Sequence, residues 1–162
     1  MNDLLHQPGF LGTSANWAAD MTLIVSIIVA LLFTTGAVLA RRGQYGAHRA
    51  VQTTAAITNA VLVLWLMILP FRDFVAPADN PGGLPQNAIL VTRIHAAAGA
   101  SALIFGLFVT LRGNGLVPKF MRFNNYKTYM RVAYALYMLA TLIGIFVYIT
   151  WFVGNPNPPS YQ

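Results

Sequence analysis

The chain has 162 residues, 57% hydrophobic and 9% charged, with ten Lys+Arg, four Asp+Glu and no cysteine. A soluble domain carries about 25% charged residues, so the composition excludes an ordinary solvated surface and fits a chain whose solvent is lipid. The net charge of +6 is too dispersed for a nucleic-acid face. The lack of cysteine excludes disulfides, thiolate metal sites and thiol catalysis.

Residues 1–19 mix apolar side chains with Pro8, Gly9 and Gly12, which predicts a short interfacial segment with Trp17 at the headgroup level. No charged leader precedes an apolar stretch here, so the first span is expected to stay as an anchor. A four-span domain is expected over residues 20–153. The first span, about 21–40, carries no charge across ~20 residues, the length that crosses a ~30 Å hydrocarbon layer. The second, about 47–71, opens with the polar His48, Arg49, Gln52, Thr53 and Thr54 and ends in an apolar half. A loop rich in Pro and Gly follows. The third span is about 88–111 and the fourth about 128–153, joined by a basic connector, with an Asn of the Asn124–Asn125 pair as N-cap of the fourth. Residues 154–162, with Pro156, Pro158 and Pro159, predict an irregular tail.

The predicted fold is therefore an all-α four-helix transmembrane bundle. Arg41, Arg42, Arg49, Arg112, Lys119, Arg122, Lys127 and Arg131 fall at one side of it. Arg72, Arg93 and all four acids, Asp3, Asp20, Asp73 and Asp79, fall at the other. The positive-inside rule places the basic side in the cytoplasm and both termini outside.

Polar residues within spans must find partners or line a cavity. His48, Gln52 and Asn59 share one face of the second span at helical spacing. Tyr134, Tyr137, Thr141, Gly144 and Tyr148 form one seam on the fourth. In the third, His95 precedes a run of Ala, Gly and Ser that lets a neighbouring helix approach closely or leaves space for a flat ring. Imidazole ligates haem iron, and it can equally ligate a chlorophyll magnesium. His95, Arg93, His48 and Tyr148 are thus candidate cofactor-binding residues, with interhelical hydrogen bonding as the competing role. The levels of His48 and His95 differ by roughly 20–25 Å at 1.5 Å per residue, which argues against one haem held by both. His6 precedes the first span at another level, leaving a single ligand from His95. Arg93 either anchors at the interface, pairs with Asp73, or meets an anionic ligand or partner subunit. No Ser-His-Asp set, carboxylate pair or phosphate-cradling loop is visible.

The basic turn before His48-Arg49, the Thr92-Arg93-Ile94-His95 stretch before small residues, and Tyr134-Ala135-Leu136-Tyr137 with Thr141, Gly144 and Val147-Tyr148 resemble the YozB/CtaM-like family of four-span membrane proteins of unknown function. The resemblance spans residues 25–153. Members generally carry a further histidine just before the last span, where this chain has Asn124, Asn125 and Tyr126. Some members are linked to haem-copper oxidase maturation. The resemblance implies an accessory or assembly subunit of a respiratory or photosynthetic electron-transfer complex in a bacterial inner membrane, non-catalytic, meeting lipid and other membrane subunits. The alternative is a haem- or (bacterio)chlorophyll-carrying subunit with His95 as axial ligand.

Overall fold

A computed structural model describes residues 7–121, 124–155 and 158–159. Asp3, His6, Arg122 and Pro156 lie outside the described residues. Among the described residues the chain is helical with no strand, and four helices are long and apolar enough to cross a membrane. They are α1 Trp17–Arg41, α2 Tyr45–Val75, α3 Gln86–Gly113 and α4 Tyr126–Val153. The hairpins α1–α2 and α3–α4 carry the most extensive packing, and α1–α4 and α2–α3 contacts close the bundle.

Local sequence sets the helix ends. The Asn16 side chain accepts a 2.9 Å hydrogen bond from the Ala19 N–H, so α1 starts at Trp17, ahead of the uncharged run. Such a cap satisfies one of the orphan N–H groups of the first turn. Trp17 and Asp20 therefore belong to the helix. α1 and α3 end alike. Gly43 and Gly115 have φ of 74° and 77°. The Gln44 N–H bonds to Leu39 O and the Leu116 N–H to Leu111 O. Each is a Schellman ending, in which glycine adopts the left-handed conformation at no steric cost. Asn125 stands at the N-cap position of α4, but its side chain makes no capping bond.

Pro70 shapes the far half of α2. Its ring displaces the carbonyl four residues earlier, and it has no N–H to give. The helix widens around it into π segments at Val63–Met67 and Phe71–Val75, with the Ala76 N–H reaching Phe71 O. A π turn absorbs such an interruption without breaking the helix.

Burial is modest. One cluster joins Val29, Ala30, Ala55 and Tyr137 in the bundle centre, and another joins Val75, Leu84, Ala88, Ile89 and Trp151 near the termini. Many large apolar side chains face outward, including Leu31, Leu64, Ile104 and Leu142. Against lipid this costs nothing, because tails are as apolar as Leu. Two ends are distinguished by charge. Arg41, Arg42, Arg49, Arg112, Lys119, Lys127 and Arg131 mark the basic end, and Asp20, Asp73 and Asp79 mark the acidic end.

Candidate functional site

The four candidate residues lie in four different helix interfaces. His48 is buried on α2 near the basic end, and its Nδ1 lies 2.7 Å from Gly36 O on α1. A carbonyl only accepts, so Nδ1 carries the proton and donates. One turn on, the Gln52 amide donates to Phe33 O at 3.1 Å. Both side chains bind α2 to α1, and Gly36 admits the Gln52 side chain where a Cβ would collide with it.

His95 lies on α3 and makes the matching contact with α4. Its Nδ1 is 3.1 Å from Ala140 O, so the same argument assigns the proton to Nδ1 and leaves the lone pair of the neutral ring on Nε2. Gly144 makes the space, since a Cβ there would stand 2.8 Å from His95 Cε1. His48 stands three residues from the basic end of α2 and His95 nine from the acidic end of α3. Their levels differ by roughly 20 Å.

Arg93 turns to α2. Its Nη2 donates to Val75 O at 3.1 Å, closing a carbonyl at the end of the π segment. Asp73, one of the partners considered for it, pairs with Arg72 at 2.6 Å. The α4 seam faces α1 at each tyrosine. Tyr134 Oη lies 3.0 Å from Thr34 Oγ1, Tyr137 donates to Ser26 O at 3.3 Å, and Tyr148 donates to Asp20 Oδ1 at 2.5 Å. Thr141 bonds back to Tyr137 O on its own helix. Beside this seam, the Trp151 indole N–H donates to Thr92 Oγ1 at 2.9 Å, joining α4 to α3.

The densest polar group is one that sequence reasoning missed. Asp20 is fully buried. Its Oδ2 accepts the Phe10 and Leu11 N–H groups at 2.6 and 2.7 Å, and Oδ1 accepts the Tyr148 hydroxyl. Tyr148 spends its only proton on Asp20, so Thr13, 2.8 Å away, donates to the tyrosine oxygen. Ser14 donates to Phe152 O at 2.6 Å. Residues 7–16 are thereby folded over the acidic end between α1 and α4. A Cβ on Gly9 would lie 2.5 Å from Asp20 Oδ2 and 2.6 Å from Ala15 O. The available signal was Asn16 as a helix start, which places Asp20 inside the first turn.

One face of α3 points away from the bundle. Leu90, Ile94 and Ile104 are more than half exposed, and Ala97, Ala100 and Ser101 between them are also exposed. Leu90, Ile94, Ala97, Ser101 and Ile104 are spaced 4, 3, 4 and 3 apart, a single helical stripe. Ser101 folds its hydroxyl onto Ala97 O at 2.8 Å, so the centre of the stripe is low and smooth. Among the described residues no group of three or more His, Cys, Asp or Glu gathers as a metal site. No protein-family model matches the chain, and neither a curated protein nor a solved structure matches it significantly.

Proposed function

We propose that the chain is a non-catalytic accessory or assembly subunit of a respiratory or photosynthetic electron-transfer complex in a bacterial inner membrane, with both termini outside. The observation that carries the accessory role is the outward stripe of α3. Lipid demands no small residues on a helix face, whereas a second helix does, because small-xxx-small spacing lets two backbones approach. Ala97 and Ser101 stand four apart on that face with Ile94 and Ile104 on either side. The bioenergetic setting rests on the likeness to the YozB/CtaM-like proteins, and the orientation on the charge segregation.

The test is copurification from native membranes of a tagged chain, with and without Ala97→Leu/Ser101→Leu. The expected result is a set of integral membrane subunits that the double variant loses while its own helicity and yield hold. Recovery of the same partners with the variant would sink the docking face, and partners outside electron transfer would sink the setting.

The second reading, haem or (bacterio)chlorophyll on His95, is favoured by one observation. A ligating histidine commonly donates its other ring N–H to a backbone carbonyl, and His95 does so to Ala140. His95 would hold such a group through Nε2. Such a group would supply redox or light-absorbing chemistry. A Soret or chlorophyll band that disappears in His95→Ala would establish it over the accessory reading, and a colourless native preparation would remove it.

A further inference from the structure

We infer that the helix seated on the outward stripe of α3 belongs to a different protein and carries a carboxylate at the level of Arg93, which selects it. This rests on the docking face proposed above and names the chemistry of its occupant. Arg93 stands seven residues after Gln86, the first residue of α3, about 10 Å along the helix axis, and it is exposed. Arg93, Ala97, Ala100 and Ile104 are spaced 4, 3 and 4 apart and all are exposed, so the arginine borders the smooth floor at Ala97 and Ser101. His95 is two residues on, about 200° around the helix, and turns to Ala140 of α4. Arg93 therefore serves the outer face and not a group held on His95.

The guanidinium is oriented but not neutralised. One of its five N–H groups donates to Val75 O at 3.1 Å, which ties the head to the end of α2. Among the described residues no carboxylate pairs with it. Asp73 is held by Arg72 at 2.6 Å, Asp20 by Phe10, Leu11 and Tyr148, and Asp79 stands in the loop after α2. An ionisable group within a span pairs with another or marks a site. A carboxylate brought by a second helix answers the remaining N–H groups in a fork geometry. Two other occupants fit less well. A second copy of this chain, paired through the same stripe about a two-fold axis, would set Arg93 against Arg93 at one level, where the two cations repel. A lipid phosphate meets the guanidinium equally well, but it leaves the low floor at Ala97, Ala100 and Ser101 without a reason, whereas a packed helix needs that floor.

The experiment places a photo-crosslinking amino acid at position 94 of the full chain, where Ile94 is 51% exposed beside Arg93, and irradiates native membranes. Mass spectrometry of the adduct identifies the helix reached. The expected adduct is a transmembrane helix of another protein with Asp or Glu within about one turn of the linked residue. Arg93→Gln should lower its yield about 30-fold, the low end of the loss on breaking a desolvated charge pair, and Arg93→Lys about 5-fold through its missing fork. Replacing the partner's carboxylate by its amide leaves this chain intact, so it decides the matter should Arg93→Gln misfold. That change is expected to cause the same loss, with no further loss when both changes are combined. A linked helix without a carboxylate, a yield unmoved by Arg93→Gln, or a link to the α3 of a second copy overturns the inference while leaving the docking face standing. Adducts to lipid alone, or a protein adduct that survives Ala97→Leu/Ser101→Leu, remove the docking face itself.

Discussion

At the residue scale the chain invests its polar groups in crossing contacts, and Asp20 is the most committed of them. It accepts two backbone N–H groups and one hydroxyl in a fully buried position. Hydrogen bonds to a charged group contribute about 1.5–3 kcal/mol each, and buried donors left without an acceptor lose their own solvation besides. Asp20→Ala is therefore expected to destabilise the chain by about 3 kcal/mol, and Tyr148→Phe, which leaves both amide bonds intact, by about half as much. Equilibrium unfolding in mixed micelles measures both. Equal costs for the two variants would show that the backbone bonds of residues 10 and 11 contribute nothing. Gly9→Ala should reproduce most of the Asp20→Ala loss, because its Cβ meets backbone at Ala15 as well as the carboxylate.

At the element scale, each hairpin is fastened by a histidine on one helix and a carbonyl on the other. His48 reaches Gly36 across α1–α2, and His95 reaches Ala140 across α3–α4. Interhelical hydrogen bonds in a membrane average about 0.6 kcal/mol, so each fastener is weaker than the packing it accompanies. The space it occupies matters more. Gly144→Ala is expected to cost about 2 kcal/mol by overpacking against the His95 ring, and very little in a His95→Ala background. A double-mutant cycle tests this, because residues in contact are non-additive. Additive costs would mean that the glycine is required by something other than the imidazole. The Schellman endings give an independent expectation. Gly43→Ala places a Cβ at φ of 74° and should cost about 1–2 kcal/mol, read as a lowered midpoint of thermal unfolding.

At the scale of the whole molecule, two hairpins that both turn at the basic end form a bundle with separated charges. That separation sets an orientation prediction. The chain has no native cysteine, so single cysteines report cleanly. Phe10 is 52% exposed at the acidic end and Leu116 is 71% exposed at the basic end. A membrane-impermeant thiol reagent applied to the outer face of the membrane is expected to label Phe10→Cys and to spare Leu116→Cys, with the pattern reversed in inverted vesicles. The opposite pattern would mean that the charge bias does not set the topology of this chain.

The sequence by itself determined the four helices, their approximate lengths and the segregation of charge between the two ends. Those features follow from hydropathy, spacing and counting, which need no partner residue. It also singled out the α4 seam, because period 3.6 puts Tyr134, Tyr137 and Tyr148 on one side whatever they face. Only the tertiary structure decided what the polar side chains are for. His48 and His95 read as ligands or as fasteners until Gly36 and Ala140 supply carbonyls at hydrogen-bonding distance. Asp20 was one of four acids grouped at one side, because its three donors come from residues 10, 11 and 148. A hydrogen bond or a charge pair depends on angstrom-scale approach between segments far apart in the chain, and composition and periodicity carry no information at that range.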